Sequence, residues 1–459
     1  MKTTNYYKTL KTLVLSIFMG CSILSTQAQI YVDAAATGTN NGSSWNNAFT
    51  DLQAALDAAS AGAEIRVASG TYTPTAAPDG STNNRNKAFH FNKNLVLKGS
   101  YNPGTVNQDF TNPSILSGDF NDDDVITGSG STLSITKNTE NAYHVLITAI
   151  LTTETRIEGF LITRGHANDA GGNISYSNMG FFNERGAGMY NFTSSPSFVN
   201  TVFSGNSATD GGGMYNFFTS SPSIVNSTFS ENSATNGGGI HNSDSSASTI
   251  YNSVFYGNGV DITNSPSSST AGENNFSENF THAGFTALDA DPFYRSSDPK
   301  GADEKWFTTD DGLKPKIGSS IIDVGDATKL PSDTKDLDKD GNTSEAIPFD
   351  IRGRSRELGV SVDVGAYEYD STVLSVKEID SSKLDIYSTG YKTLVIHGVL
   401  NAKTTANVYS LQGKLVVSKT FDKFSTSNTL DVSMLNTGIY IVKMYNAKHQ
   451  VHTKKLFIQ

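Results

Sequence analysis

The sequence has a single cysteine, Cys21, among its 459 residues. Cys21 lies in the apolar stretch 13–24, which follows three lysines and precedes the small-residue motif Thr26-Gln27-Ala28. This order is typical of a secretory signal peptide, so we expect residues 1–28 to be removed and the mature chain to start at Gln29. The mature chain then has no thiol, which excludes disulfide bonds.

Charged residues and long apolar runs are also scarce. Only 17% of the residues are charged, and no stretch after the signal peptide is long and apolar enough to span a membrane. The formal net charge is −11, and removing three lysines from the 34 basic residues leaves 31 against 45 acidic ones, about −14. This acidic balance argues against nucleic acid or anionic lipid as a partner and suits a protein outside the cell.

Glycine and asparagine, by contrast, recur in a repeated motif. Residues 186–191 (GAGMYN) return as 211–216 (GGGMYN) and again as 237–242 (GGGIHN), and the asparagines that follow each copy recur at a step of 26 residues. A fixed period in the twenties is typical of supersecondary units that stack on one another. The repeats are clearest over residues 186–261, and the lack of a leucine pattern excludes leucine-rich repeats.

Short apolar bursts separated by Gly, Asn, Ser and Pro fill each copy. They predict about three short strands per turn and exclude helical repeats. About 25 residues per turn fits one coil of a parallel β-helix, in which equivalent positions lie about 4.8 Å apart. We therefore expect an internal aromatic stack of Phe203, Phe229 and Phe255. The corners should carry amide ladders of the repeated asparagines, among them Asn206, Asn232 and Asn258.

An earlier coil is predicted upstream of the repeats. Ile162 and Ala167 match Phe203 and Ala208 at a step of 41 residues, which is one period plus about 15 residues. The excess, around residues 174–185, predicts a loop that protrudes from the stack, and such loops often carry function.

A single amphipathic helix is predicted before the strand at residues 63–67. Thr50 should cap this helix and Gln53 should complete a capping box, while Gly62 ends it. The apolar stripe of the helix would plug one end of the stack, which otherwise exposes apolar side chains and unpaired backbone.

Eight motifs between residues 43 and 368 follow one another in an order that resembles a known family. They are 43–45 (SSW), 52–56 (LQAAL), 67–72 (VASGTY), 97–101 (LKGSY), 115–119 (ILSGD), 289–293 (DADPF), 319–325 (SSIIDVG) and 363–368 (DVGAYE). Together they are similar to the secreted bacterial right-handed parallel β-helix family with a pectin-lyase-like fold. The resemblance implies an all-β body over residues 29–370, with terminal coils at about 285–370, and it implies no particular activity.

The sequence pattern changes after the polar linker, residues 371–380. Six strand-like segments separated by turns predict a small C-terminal β-sandwich over residues 381–459; they are 384–387, 392–396, 406–410, 414–417, 430–432 and 439–442. The runs 408–414, 430–440 and 454–458 resemble the type A sorting domain that the type IX secretion system reads. The resemblance implies that residues 381–459 contact the secretion machinery as an export address and are removed during surface attachment or release. An ordinary binding sandwich is the alternative.

Catalytic candidates are sparse in this sequence. A lyase needs a base together with a cation or arginine to neutralise a uronate, and a hydrolase needs paired carboxylates. Arg164 and His166 flank a glycine at a predicted corner near Glu184, and these three residues are the catalytic candidates. The motifs of polygalacturonase-like hydrolases and pectate lyases are absent. His241 stands in line with the tyrosines of the two preceding copies, and exposed polar loop residues remain the alternative for all of these groups.

Two acidic clusters are candidate calcium sites, because Ca²⁺ collects carboxylate and carbonyl oxygens. One cluster alternates carboxylates before Gly341, as a calcium loop does, although Ile347 stands where an EF-hand has its glutamate. The other follows residue 118 and has four carboxylates within six residues, which repel one another unless they are solvated or bind a cation. The metal candidates are Asp336, Asp338, Asp340, Asp119, Asp122 and Asp124.

These patterns predict a non-catalytic extracellular β-helix protein that binds glycan or another surface ligand. The alternatives are a polysaccharide lyase or glycoside hydrolase acting on an acidic glycan, and a structural or adhesive solenoid. The expected location is the outer-membrane surface or the extracellular space, reached through the periplasm. The expected partners are the type IX secretion machinery and extracellular polysaccharide, without nucleic acid, and the one cofactor considered is Ca²⁺.

Overall fold

The computed structural model describes residues 29–369 and, further on, parts of the range 385–458. Within these ranges it leaves out residues 106, 111, 295–298, 302, 304, 309, 357, 390–391, 398–399, 401–402, 423–426 and 447–450. The predicted signal peptide, 1–28, and the predicted linker, 371–380, lie outside the described residues. Contacts divide the chain between Asp370 and Ser371 into two compact units, called the body and the C-terminal unit below.

Three parallel sheets build the body. The first sheet contains, in spatial order, β1 (Gln29–Val32), β2 (Glu64–Ala68), β5 (Val96–Tyr101), β10 (Arg156–Glu158), β16 (Ser197–Val199), β20 (Ser223–Val225), β23 (Ala247–Tyr251) and β26 (Ser269–Glu273). The second contains β3 (Gly70–Tyr72), β6 (Ser114–Ser117), β11 (Phe160–Thr163), β17 (Val202–Ser204), β21 (Thr228–Ser230), β24 (Val254–Tyr256), β27 (Asn275–Ser277) and β28 (Phe285–Ala287). The third contains β4 (Phe89–Phe91), β9 (Leu146–Ala149), β15 (Met189–Phe192), β19 (Met214–Phe217), β22 (Ile240–Asn242) and β25 (Ile262–Asn264).

Shorter elements complete the body. They are the parallel pair β12 (His166–Ala167) and β18 (Ser207–Ala208), the hairpins β7 (Val125–Thr127) with β8 (Ser134–Thr136) and β13 (Asn173–Tyr176) with β14 (Met179–Phe182), the helix α1 (Leu52–Ala58), and the 3-10 helices Asn84–Asn86, Gly130–Thr132 and Ala327–Lys329.

Strands of successive repeats pair in parallel at the predicted steps. Phe203 pairs with Phe229, and Phe229 pairs with Phe255, so each residue meets its equivalent in the next repeat. Ile162 pairs with Phe203 and Ala167 with Ala208, so the longer step predicted for the upstream coil is confirmed as well. Each of the three sheets therefore gains its strands from successive repeats and not from one continuous segment.

The predicted aromatic stack lies inside the body. The rings of Phe203 and Phe229 are 4.6 Å apart and inclined by 4°, and those of Phe229 and Phe255 are 4.7 Å apart and inclined by 11°. All three side chains are fully buried in the largest apolar core, which draws on all three sheets. Like side chains thus touch like, as the period predicts, and stacked rings add to the stability that burial alone supplies.

The predicted amide ladders are present at the corners. The side-chain amide of Asn206 donates to Asn232 Oδ1 at 2.9 Å, and Asn232 donates in the same way to Asn258 at 3.0 Å. Asn191 and Asn216 begin a second ladder of 2.8 Å bonds on the third sheet. In these two ladders, the amide of one repeat donates a hydrogen bond to the amide of the next repeat. Burying these polar groups therefore does not leave them unpaired.

The repeated glycines follow from the close approach of successive coils. The first glycine of the middle copy, Gly211, has φ +65°, a left-handed conformation that side chains disfavour. The third, Gly213, runs so close to the next coil that a Cβ there would lie 2.6 Å from the carbonyl oxygen of Gly239. The motif thus encodes a turn and a contact between backbones.

Helix α1 begins one residue later than the sequence predicts. Asp51, and not Thr50, is the N-cap, and its carboxylate accepts a hydrogen bond from the backbone of Gln53. The predicted capping box is wrong, because the Gln53 amide instead donates to the His90 carbonyl of strand β4. Asp and Thr both cap helices, so composition does not separate them. The helix buries its apolar face in the core of the Phe stack, as expected of a plug.

Residues 288–367, here called the returning segment, cover the outer face of the second sheet. The apolar core between them holds Leu161, Val202, Val254 and Phe276 from the sheet and Leu288, Phe293, Trp306, Phe307, Leu313, Ile321, Ile351, Val364, Ala366 and Tyr367 from the segment. Asparagines of the repeats fasten it: Asn200 donates to the Phe349 carbonyl and Asn252 to the Asp326 carbonyl. These asparagines therefore hydrogen-bond the returning segment, and Asn252 also donates to Asn226 in the preceding repeat.

The loop predicted to protrude at residues 174–185 is the hairpin β13–β14, and it packs back onto the body. Ile174 and Phe181 are fully buried, and the Phe181 ring lies 4.9 Å from that of Tyr190 in strand β15. Apolar residues on one face of the hairpin explain why it does not stand free in solvent.

Two antiparallel sheets that share one apolar core form the C-terminal unit. One contains β29 (Asp385–Thr389), β30 (Thr393–His397) and β33 (Ser427–Asp431), and the other contains β32 (Leu415–Phe421), β31 (Thr404–Ser410), β34 (Gly438–Asn446) and β35 (Val451–Ile458). Each of the six predicted segments overlaps one of these strands. None of the helices in the described part of the chain has the length and apolar character that crossing a membrane takes.

Candidate functional site

A cleft of about 420 Å³ opens on the body where the second sheet meets the returning segment. Strands β3, β6 and β11, with adjoining loops, supply one wall, and Lys300, Lys305, Trp306 and Thr308 supply the other. The cleft is lined by Ser69, Gly70, Thr71, Asn112, Pro113, Ile115, Ser117, Asp122, Thr163, Arg164, Lys300, Lys305, Trp306 and Thr308.

Cationic groups outnumber anionic ones in this lining. Arg164, Lys300 and Lys305 are basic, and Asp122 is the single acidic residue among the lining residues. Trp306 is only 8% exposed, because most of its ring is buried against the second sheet. The lining therefore combines three basic side chains with an aromatic one.

Arg164 is fixed in the cleft by two carboxylates. It follows strand β11 with φ +62°, and its Nη1 lies 3.2 Å from Asp119 Oδ2 and in contact with the carboxylate of Asp122. The Arg164 side chain is 12% exposed and that of Asp119 is fully buried. The guanidinium is therefore held as a fixed, partly compensated charge, a state that suits recognition of a ligand better than proton abstraction.

Asp119 organises the loop after strand β6. Its carboxylate accepts hydrogen bonds from the backbone of Asn121 at 2.9 Å, of Asp122 at 2.7 Å and of Asp124 at 3.1 Å. These bonds, with the ion pair to Arg164, satisfy a charge that is fully buried. The carboxylate run predicted as a metal candidate is therefore joined to the predicted catalytic arginine in one network.

Asp311 holds the opposite wall of the cleft in place. Its carboxylate accepts hydrogen bonds from the backbone of Phe307 at 2.6 Å and of Thr308 at 3.1 Å, and the Tyr367 hydroxyl donates to it at 3.2 Å. Burial raises the pKa of Asp311 to about 7. Asp311 thus ties the backbone next to Trp306 to Tyr367.

The other two catalytic candidates lie apart from the cleft lining. His166 in strand β12 is half-buried, its Nδ1 lies 2.7 Å from the Asn138 carbonyl, and burial lowers its pKa. Glu184 pairs with Arg185, at 3.5 Å, in the turn after hairpin β13–β14. Of the three candidates, only Arg164 lines the cleft.

The first acidic cluster gathers a different set of carboxylates from the predicted one. Asp119, Asp123, Asp124 and Glu140 bring oxygens within 4.8 Å of one another, while Asp122 turns to Arg164. Burial raises the pKa of Asp124 to about 7 and also raises that of Glu140. Both pKa values rise because the carboxylates are partly buried and lie close to other carboxylates. A bound cation would offset this repulsion between negative charges.

The second acidic cluster gains a glutamate that the sequence spacing did not predict. Asp336, Asp338 and Asp340 form one group, and Asp338 also joins Asp333 and Glu345 in a second group with oxygens within 4.8 Å. Burial, followed by the charges of Asp340 and Asp338, raises the pKa of Glu345. Asp338 is thus shared by the two groups, and Glu345 belongs to the one with Asp333, not to the predicted loop group of Asp336 and Asp340. Carboxylate oxygens of this kind are the ligands that Ca²⁺ takes in proteins.

Sequence reasoning missed the residues that the returning segment brings to the cleft. Lys300, Lys305 and Trp306 are distant from Arg164 along the chain, and no repeat or motif includes them. Glu140 joins the carboxylates of the Asp119 loop in the same way, through folding alone. The contact between Asp119 and Arg164 could have been predicted from sequence. Both residues follow strands that are parallel neighbours in one sheet, so both lie at the same edge of that sheet.

The described chain is an all-β protein with large parallel sheets and a separate antiparallel C-terminal unit. Residues 388–459 match the family model of the secretion system C-terminal sorting domain. No curated protein matches the chain. The C-terminal unit is therefore a sorting domain that the type IX secretion machinery recognises. The protein is exported, either to the cell surface or into the medium.

Proposed function

We propose that the body is a right-handed parallel β-helix and that the exported protein binds an acidic extracellular glycan in the cleft beside strand β11. The three-sheet order supports the fold, because the chain adds one strand to each sheet in every repeat, as stacked coils require. The observation that carries the function is the cleft itself, with Arg164, Lys300 and Lys305 around the wall formed by Trp306.

The chemistry of the lining suits uronate groups and sugar rings. A guanidinium presents a rigid fork of donors that matches the two oxygens of a carboxylate, and lysines add point charges. The exposed part of the Trp306 indole adds an apolar contact, and more exposed hydroxyls such as those of Thr71 and Thr308 supply hydrogen bonds. An acidic oligosaccharide combines these three features.

Binding is favoured over turnover by the state of Arg164. Because its guanidinium is engaged by Asp119 and Asp122, it holds charge and position but has no free role as a base. A polysaccharide lyase or glycoside hydrolase remains the alternative function and an adhesive solenoid the second, and both give different outcomes in the following test.

The test uses purified mature protein titrated with acidic oligosaccharides such as oligogalacturonate. We expect saturable binding, weakened about tenfold by Lys305→Glu, a loss of about 1.4 kcal/mol. Lys414→Glu is the matched control, since Lys414 is also exposed but lies in the C-terminal unit. Release of unsaturated products or reducing ends would establish the enzyme alternative. The absence of any binding at low ionic strength would favour the adhesive solenoid and defeat the proposal.

The export assignment is tested separately in cells. We expect deletion of residues 406–459 to leave the protein in the periplasm, because the deletion removes all or most of five of the seven described strands of the sorting unit. Normal appearance of the truncated chain at the surface would contradict it.

We further propose that Ca²⁺ stabilises the returning segment through Asp336, Asp338, Asp340 and Glu345. The support is that Asp338 has oxygens within 4.8 Å of those of Asp336 and Asp340 in one group and of those of Asp333 and Glu345 in another, together with the raised pKa of Glu345. Asp119, Asp123, Asp124 and Glu140 form the second candidate for a cation beside the cleft. In both places the ion would neutralise crowded carboxylates and would take no part in binding by Arg164.

A further inference from the structure

Three polar side chains from neighbouring repeats meet beside the third sheet. Asp210 precedes strand β19, His241 lies in strand β22, and Ser265 follows strand β25. These strands are direct neighbours, so the stack brings together residues that are far apart along the chain. His241 occupies the column that holds Tyr190 and Tyr215 in the preceding copies, which marks it as a departure from the repeat.

The distances place the imidazole between a hydroxyl and a carboxylate. His241 Nε2 lies 2.9 Å from Ser265 Oγ, within hydrogen-bond distance. On the other side, His241 Nδ1 lies 3.6 Å from Asp210 Oδ1. That Nδ1 is buried and makes no hydrogen bond to a described residue, so Asp210 faces the ring at ion-pair distance and beyond hydrogen-bond distance. Serine, histidine and aspartate in this sequence of contacts are the parts of a nucleophilic relay.

Packing holds the members of the relay in place. The His241 ring is 6% exposed and meets the Tyr215 ring edge to face at 5.2 Å. Asp210 accepts a hydrogen bond from the Asn236 amide at 2.8 Å and pairs with Arg185 at 3.4 Å. Although burial opposes ionisation, the nearby His241 and the hydrogen bond from Asn236 lower the pKa of Asp210, which keeps it a carboxylate.

Ser265 lies at the solvent end of the relay. Its residue is partly exposed and is followed by the exposed Pro266 and Ser267, whereas the imidazole behind it is buried. A hydroxyl at the surface with a buried base behind it is accessible to a substrate while the base stays shielded from water. The relay lies beside strands of the third sheet, whereas the cleft is formed by strands of the second.

We propose that Ser265, His241 and Asp210 form a serine acyl-transfer site that hydrolyses carboxylic esters, independently of glycan binding in the cleft. Ser265 Oγ attacks the ester carbonyl carbon while His241 Nε2 takes the hydroxyl proton. The proton then passes to the leaving alcohol oxygen as the carbonyl–oxygen bond breaks, giving an acyl-serine. Water attacks the carbonyl carbon of this ester as His241 Nε2 takes a proton from it. That proton passes to Ser265 Oγ as the acyl–Oγ bond breaks, and a carboxylic acid leaves. Asp210 orients the ring and stabilises its charged form.

The test combines a serine-directed fluorophosphonate probe with hydrolysis of p-nitrophenyl acetate by the full mature chain. We expect a probe adduct on Ser265 and a rate that falls on the order of 100-fold in Ser265→Ala and in His241→Tyr. Tyrosine fills the same column in two preceding coils, so His241→Tyr should keep the stack, and its melting temperature checks this. Ser267→Ala, which is near the relay in sequence but outside it, is the matched control and should keep the full rate.

Three outcomes would contradict the acyl-transfer site. An adduct elsewhere than Ser265, or no adduct, overturns the proposal, and so does hydrolysis that Ser265→Ala leaves unchanged. Because none of these variants lines the cleft, oligosaccharide binding should stay the same in all of them, which separates failure of this site from failure of the glycan proposal.

Discussion

Truncation of the central ring of the aromatic stack, Phe229→Ala, should strongly destabilise the body. Phe229 is fully buried between Phe203 and Phe255, with ring centroids 4.6 and 4.7 Å away. Removing a buried Phe side chain costs about 3–5 kcal/mol through lost burial and the cavity that remains. The upper part of this range is expected here, because two stacked neighbours, each contributing about 0.5–1.5 kcal/mol, are lost together.

The assay is equilibrium unfolding in urea followed by tryptophan fluorescence. Both tryptophans of the sequence, Trp45 and Trp306, belong to the body, so the signal reports on the stack and not on the C-terminal unit. Phe218→Ala is the matched control, since that ring is 50% exposed and its loss should cost within about 0.5 kcal/mol. Equal destabilisation by the two variants would refute the stacked core.

Three further predictions concern the ladder, the carboxylates and calcium. Asn232→Ala should cost about 3 kcal/mol in the same unfolding assay, because it leaves buried partners on both neighbouring coils unpaired; a loss no larger than that of the exposed Asn236→Ala would argue against the ladder. A chelator should lower the melting temperature of the mature protein, and Asp338→Ala should reproduce that loss and remove the response to chelator; an unchanged melting temperature rules out the calcium site. Because the folded pKa of Asp311 lies above its unfolded value, this group binds a proton on folding between about pH 4 and 7, and its contribution to the free energy of unfolding should fall as pH rises through this window, by at most about 1.4 kcal/mol per pH unit. Asp311→Asn should flatten that slope, and a slope that Asp311→Asn leaves unchanged would show that other groups cause it.

The repeated part of the fold was predictable from sequence because its contacts join equivalent positions. The period of the repeats predicts that Phe203 meets Phe229 and that Asn206 meets Asn232, and both contacts are present. The same logic reached the upstream coil, since the match between the two segments placed Ile162 beside Phe203. Such contacts can be predicted without the rest of the chain, because each repeat packs on the next through the same positions.

The cleft was only partly predictable, because its second wall comes from a distant segment without a repeat. Arg164 and Asp122 carried sequence signals, but Lys305 and Trp306 reach the cleft only when the returning segment packs on the second sheet. That packing depends on apolar side chains of irregular spacing, which no period reveals. The start of helix α1 at Asp51 was missed for a smaller reason, since two adjacent residues are both good N-caps.

The most direct test of successive coils lying over one another is a disulfide between them. No cysteine follows Cys21 in the sequence, and Ser245 Oγ lies 3.3 Å from Ser267 Oγ in the next repeat. Under mild oxidation, Ser245→Cys with Ser267→Cys should form a disulfide, measured as the loss of two free thiols. Ser195→Cys with Ser245→Cys, two coils and on the order of 10 Å apart, should not. Free thiols that persist in the first pair, or equal cross-linking of both pairs, would contradict the stacked coils.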